Sequence, residues 1–295
     1  AAASRSVILP ARARPWWTRG IWFTSDEPLG LAGRQQSEGE IKMKRLYPLW
    51  LGEACCDKGR VLSPGFGDGV RIHIPIVGYL VITDAGRRVL IDTGIHRSHI
   101  EDPDRTWRGT EFAELLRPVM RTEDTVDYRL AALGLRGADV TDVINTHLHF
   151  DHAGNNDAFP GATFYVQRSQ YDAALDNPSF PNQYWRLEGL DYQLLDGETD
   201  LGDGITVFPT PGHAPGHQSV LVRLDSGQNL MLCGDAIYEE DNVKHDIWEG
   251  HADPTQARQS ALELLDRAKD LKAQLFYGHD ADQWRTVRKS PSWYE

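Results

Sequence analysis

Apolar positions fall in short blocks along most of the chain, some alternating with polar residues and some continuous. Residues 70–83 (VRIHIPIVGYLVIT) and 88–92 (RVLID) predict two strands, with Asp84-Ala85-Gly86 as the turn between them. Blocks at residues 140–146, 162–167, 205–209, 218–224, 229–233 and 274–277 predict six more. Asp225-Ser226-Gly227 reads as a hairpin turn joining the fourth and fifth of these. Helical spacing predicts helices over residues 112–120 and 126–133. The clearest helix opens at Asp253-Pro254, an N-cap followed by a first-turn proline, with Ala257, Ala261, Leu264, Leu265, Ala268 and Leu271 on one face. Strands and helices interleaved in this order predict an α/β protein whose sheets are covered by helices.

The first 42 residues follow neither period. They carry Trp16, Trp17 and Trp22, scattered arginines and a Gly-rich stretch at residues 29–33. They read as an N-terminal extension to a domain spanning residues 43–295, with a biological start at Met43 as the alternative. With 295 residues, 40% hydrophobic and 25% charged, the chain has the composition of a globular protein, which excludes disordered and collagen-like classes. Acidic residues outnumber basic ones 43 to 31, a net charge of -12 that repels phosphate backbones, so no nucleic-acid partner is expected. Cys55, Cys56 and Cys233 are too few, and odd in number, for a disulfide framework; a cytoplasmic, reducing location is expected. No apolar run approaches the roughly 20 residues of a membrane helix, so no membrane partner is expected either.

The chemistry concentrates in Thr146-His147-Leu148-His149-Phe150-Asp151-His152-Ala153-Gly154. Four potential ligands follow directly on an apolar strand. Alternation along an extended backbone puts His147 and His149 on one side, and the turn after them can bring Asp151 and His152 to a second point nearby. Two ligand pairs suit two metal ions better than one. Imidazole with carboxylate favours zinc or a similar first-row ion, and cobalt, manganese and iron stay open. Unliganded histidines packed this tightly would crowd, and would repel one another once protonated. Three further candidates, His213, Asp235 and His279, each end an apolar strand, and each is preceded by a glycine (Gly212, Gly234, Gly278) that allows a tight turn. Strand ends of an α/β sheet are where ligands bind.

These residues resemble the metallo-β-lactamase superfamily of dinuclear metallohydrolases, whose HxHxDH motif stands at His147 to His152. Within it the sequence is most similar to the quorum-quenching N-acyl homoserine lactonases. The motif reads HLHFDHAG, the segment MKRLYPLWLG looks like their first strand, and Tyr238 stands three residues after Asp235, where those lactonases carry a substrate-contacting tyrosine. The resemblance covers residues 43–295. It implies a four-layer αββα sandwich with two divalent metal ions, zinc foremost, at one edge of its sheets. His147, His149 and His213 would hold one ion, and Asp151, His152 and His279 the other, with Asp235 bridging. Asp92, in a DTG segment, would orient a histidine ligand. The implied reaction opens a small-molecule lactone by a metal-bridging hydroxide, with Tyr238 stabilising the oxyanion and Asp151 carrying the proton to the leaving alkoxide. A different lactone, a thioester or an organophosphate triester is the alternative substrate, and a homodimer is implied by resemblance alone. Phe150, Trp50, Phe66, Tyr184 and Trp185 are candidates to line a groove for an acyl tail. His217 reads as loop support, and His73, His96, His99, His245 and His251 have no ligand-like context.

Overall fold

Blocks of alternating and continuous apolar residues become twelve strands among the described residues of the computed structural model, which are residues 44–295. The extension expected over residues 1–42 lies outside them. The strands are β1 (Arg45–Asp57), β2 (Arg71–Ile82), β3 (Arg88–Ile91), β4 (Leu116–Val119), β5 (Asp142–Ile144), β6 (Thr163–Gln167), β7 (Asp191–Leu195), β8 (Thr199–Asp200), β9 (Ile205–Pro209), β10 (Gln218–Arg223), β11 (Asn229–Leu232) and β12 (Ala273–Phe276). One sheet has the order β4-β1-β2-β3-β5-β6-β7 and the other β12-β11-β10-β9-β8. In the first sheet β1, β2 and β3 pair antiparallel, while β3, β5, β6 and β7 run parallel.

The two-residue period of each strand decides what fills the layers. Tyr79, Val81, Val89 and Ile91 face inward and meet Val207, Val220, Val222, Leu230 and Leu232 from the second sheet. Their neighbours Leu80 and Leu90 point the other way, against Val126 and Leu130 of the helix Val126–Ala131. On the far side of the second sheet Leu221 and Met231 pack on Ala257, Ala261, Leu264 and Ala268. Both faces of both sheets are therefore apolar, and the layers run helix, sheet, sheet, helix: the αββα sandwich expected. The helix Pro254–Asp270 begins as its sequence predicts, with Asp253 accepting from the Gln256 amide at 3.0 Å.

Two elements differ from the sequence expectation. The helix expected over residues 112–120 stops after Phe112–Leu115, and Leu116–Val119 instead pairs with β1 as an edge strand. Pro118 disfavours the helical region for Arg117 and suits an edge position. The strand expected over residues 140–146 shortens to Asp142–Ile144 because the Thr146 amide leaves the ladder to donate to Asp92 Oδ1 at 2.8 Å. That departure starts the ligand-bearing loop. The ends of β3, β5, β9, β11 and β12 converge on one edge of the sandwich and deliver Asp92, the His147–His152 loop, His213, Asp235 and His279 there.

Candidate metal centre

Each of the seven residues expected as ligands reaches this edge. Leu148 turns into a cluster with Val166 and Trp185, and Phe150 turns into the core outside the first sheet, so His147, His149, Asp151 and His152 are left facing one space. His147 Nε2 and His149 Nδ1 lie 2.9 Å apart, His149 Nδ1 and His213 Nε2 2.9 Å, and His147 Nε2 and His213 Nε2 3.1 Å. A second group, Asp151, His152 and His279, has its donor atoms within 4.8 Å of one another. Asp235 stands between the groups. Its Oδ1 is 3.2 Å from His152 Nε2 and 3.3 Å from His279 Nε2, while its Oδ2 is 3.4 Å from His213 Nε2 and 3.8 Å from His147 Nε2.

Outer hydrogen bonds aim these donors. Asp92 takes a left-handed backbone turn (φ 58°), which aspartate tolerates better than most residues. The turn lets its carboxylate accept from the Thr146 amide, the Thr146 hydroxyl and His152 Nδ1–H, all at 2.8 Å. His279 Nδ1–H donates to the Pro75 carbonyl at 2.9 Å. His213 Nδ1–H donates to the Tyr238 hydroxyl at 2.8 Å, and that hydroxyl donates to the Gly250 carbonyl at 3.3 Å. His217 is the loop support expected: its Nε2 accepts from the Asp235 amide at 3.0 Å and its Nδ1–H donates to Thr210 Oγ1 at 2.9 Å. Close approach explains the glycines before Asp235 and His279. A Cβ at Gly234 would stand 2.8 Å from His217 Nε2, and one at Gly278 would stand 2.6 Å from the Gly234 carbonyl oxygen and 2.8 Å from Asp235 Oδ1.

The electrostatics separate the two groups. Burial, reinforced by neighbouring histidines, holds His147 and His213 well below the ordinary histidine value. Burial likewise brings His149 down to about 4. These shifts favour the neutral imidazole, which has a lone pair to offer a cation. For His152 burial also pulls downward, but Asp235, Asp151 and Asp92 outweigh it and hold the group well above its ordinary value. Asp235 is held well below the carboxylate range, because His152, His279 and His213 overcome the burial that opposes its charge.

A divalent cation fits this donor set. Three nitrogens bound tetrahedrally to zinc at about 2.0–2.1 Å lie about 3.3 Å apart, close to the spacing of His147, His149 and His213. Buried polar atoms are ordinarily hydrogen-bonded, yet among the described residues His152 Nε2 and Asp235 Oδ1 have no such partner. Both face the space between the groups, where a cation would satisfy them. Histidine with carboxylate and no thiolate is a donor set for first-row divalent ions.

A cavity of about 210 Å³ opens onto the cluster. His149, Asp151, His213, Asp235, Tyr238 and His279 line its inner end. The clustered donors, the Asp235 carboxylate between them and the sandwich edge that carries them point to one family. The chain belongs to the metallo-β-lactamase superfamily. The family sequence model matches residues 75–279. Among relatives, the chain is 32% identical to the N-acyl homoserine lactonase AiiA of Bacillus thuringiensis subsp. kurstaki, over 86% of this chain and 100% of that one. It is 36% identical to the N-acyl homoserine lactonase AttM of Rhizobium radiobacter, over 85% and 98% respectively. A solved N-acyl homoserine lactone hydrolase, holding its product N-hexanoyl-L-homoserine at the catalytic metal centre, superposes with a TM-score of 0.79 at 31% identity, covering 86% of this chain and 100% of that one.

As a metallo-β-lactamase-fold protein, the chain walls the outer part of its cavity with Val61, Ile74, Trp107, Phe112, Leu115, Leu116 and Phe150, with Arg60 alongside. Of the five aromatics expected in a tail groove, only Phe150 lines it. Trp50 packs edge-on to Trp284, Phe66 stacks on His245, Tyr184 stacks on His96, and Trp185 is fully buried against Tyr171. Aromatic type alone does not say which side of a chain faces a cavity; the topology that folds Trp107 and Phe112 over Phe150 does. His251, without ligand-like context in the sequence, stacks flat on Tyr238 at 4.4 Å.

Proposed function

We propose that this protein is a dinuclear, zinc-dependent hydrolase that opens the ring of N-acyl homoserine lactones. The observation that carries the reading is the cavity itself, whose apolar walls end on paired metal-donor groups with a tyrosine hydroxyl beside them. The likeness to lactonases over nearly their whole length supports the substrate. His147, His149 and His213 would hold one ion and Asp151, His152 and His279 the other, with Asp235 offering a carboxylate oxygen to each group. When bound, the ions supply Lewis-acid chemistry, lowering the pKa of water to about 7 and polarising a carbonyl oxygen.

The chain's own residues do the rest. Val61, Ile74, Trp107 and Phe150 hold the acyl tail, leaving the lactone ring at the inner end. Tyr238 donates its hydroxyl hydrogen to the carbonyl oxygen as that atom gains charge. Burial, with Asp235 and Asp151 nearby, holds the phenol well above its ordinary value, so it is a neutral donor at working pH. Asp151, in the cavity wall, accepts the proton released by the attacking water and delivers it to the departing ring oxygen. The three free thiols agree with a cytoplasmic setting. No helix among the described residues is long and apolar enough to cross a membrane. Sedimentation velocity tests the homodimer that the resemblance implies.

The test is product analysis with zinc-loaded protein, using N-acyl homoserine lactones beside S-lactoylglutathione and paraoxon. The proposal expects an N-acyl homoserine one water heavier than its lactone, formed faster than either other product. Turnover of the thioester or phosphotriester alone would keep the metal site and discard the substrate.

A further inference from the structure

We infer that His251 is a positioning residue for Tyr238, fixing the plane of the phenol so that its hydroxyl hydrogen can pass from the Gly250 carbonyl to a ligand oxygen in the cavity. This rests on the role proposed for Tyr238. The imidazole and phenol rings lie parallel, 4° apart in plane with centroids at 4.4 Å. Trp248 stacks in turn on His251, its ring 5.9 Å away and 30° from parallel. His251 is only 5% exposed, and among the described residues neither ring nitrogen has a hydrogen-bond partner. The contact that accounts for its place is therefore the ring face. Such aromatic pairs hold geometry beyond the area they bury.

The adjacent residue completes a clamp. Gly250 offers its carbonyl to the Tyr238 hydroxyl at 3.3 Å, long for an O–H···O bond, while His213 Nδ1–H donates to the same oxygen at 2.8 Å. The short bond uses the phenol as an acceptor and fixes where its oxygen sits. The long one holds its hydrogen weakly, so a carbonyl oxygen arriving in the cavity can take the hydrogen without displacing the ring. What keeps the ring from following its hydrogen is the face of His251. Among the described residues no other ring stacks parallel on Tyr238: His213 is edge-on at 5.5 Å, and His279 is 6.1 Å away and tilted by 33°.

The inference separates the ring from its nitrogens. His251→Phe keeps a flat partner and removes two unpartnered nitrogens, whereas His251→Ala removes the plate. With zinc-loaded protein and an N-acyl homoserine lactone, His251→Ala is expected to lower kcat about tenfold with KM within about twofold. His251→Phe is expected to restore kcat to within about threefold of the parent. Placed on Tyr238→Phe, His251→Ala is expected to add no further loss. Crystal structures of the metal-free variants supply a readout apart from activity: Tyr238 keeps both hydrogen bonds in His251→Phe and leaves at least one in His251→Ala. An equal loss from His251→Ala with and without the Tyr238 hydroxyl would overturn the inference, as would an undisturbed Tyr238 in the His251→Ala structure. A parent protein inactive on lactones would instead overturn the proposed reaction, and the crystal structures would still decide the role of His251.

Discussion

Replacing Asp92 with asparagine changes one atom, yet it should weaken the hold on one of the two ions proposed for this site. Asp92 accepts three hydrogen bonds through two oxygens, from the Thr146 amide on Oδ1 and from the Thr146 hydroxyl and His152 Nδ1–H on Oδ2, each at 2.8 Å. Asparagine keeps one acceptor oxygen. Turned one way, its amide faces His152 Nδ1 and drives the imidazole proton to Nε2, the atom that faces Asp151 and Asp235. Turned the other way, it leaves the buried Thr146 N–H without an acceptor, which costs about 1–3 kcal/mol. Loss of such an outer partner typically weakens metal affinity about 10–100-fold, or about 1.4–2.7 kcal/mol. Protein loaded with zinc and dialysed against graded chelator buffers, with metal counted by mass spectrometry, reads this directly. Asp92→Asn should release one ion at about 10–100-fold higher free zinc than the parent and retain the other, since His147, His149 and His213 have no bond to Asp92. Release curves that superpose on the parent's would show that Asp92 does not set the His152 donor.

Other expectations follow from the same geometry. Gly278→Ala places a Cβ 2.6 Å from the Gly234 carbonyl oxygen and 2.8 Å from Asp235 Oδ1, where backbone cannot yield; thermal unfolding should show about 1–3 kcal/mol of lost stability, and an unchanged Tm would contradict the contact. Tyr238→Phe should lower kcat about 10²–10³-fold if the hydroxyl acts as an oxyanion donor. Because burial raises the Tyr238 pKa above its ordinary value, the phenol stays protonated as pH rises, so the parent-to-variant rate ratio should hold level up to about pH 10. A ratio collapsing well below that pH would show that the phenol ionises. Burial pushes the Cys56 thiol up to about 12 and raises Cys233 as well, so a thiol reagent at pH 8 should label at most Cys55 rapidly in native protein.

Much of the site was legible in the sequence because its ligands come in a local cluster and then at strand ends. The run from His147 to His152 needs no long-range knowledge, and the glycine before each later ligand marks a chain reversing at the sandwich edge. Asp92 and His217 were also legible, since each adjoins a strand end that the apolar pattern defines. What the pattern missed depends on tertiary contact. The helix predicted through Met120 gave way at Pro118 to an edge strand, because β1 offered a partner that helical spacing could not reveal. The cavity wall joins Val61, Ile74, Trp107, Phe112 and Phe150, residues far apart in sequence and alike only in being apolar. Trp50 and Trp185 carry the same chemistry and pack elsewhere, Trp50 at the margin of the inter-sheet core and Trp185 inside a second cluster. His251 has no motif at all; its meaning arises only from lying flat on Tyr238.

In the proposed reaction two ions held by the seven clustered residues open a lactone. Metal-free protein given zinc in steps, with acid release from N-hexanoyl homoserine lactone followed by pH-stat at each step, tests it most directly. One equivalent of acid per lactone consumed is expected, with a rate that reaches its plateau at two zinc ions per chain. Two bound ions with acid release no faster than the spontaneous reaction would contradict it, as would a full rate in the metal-free protein.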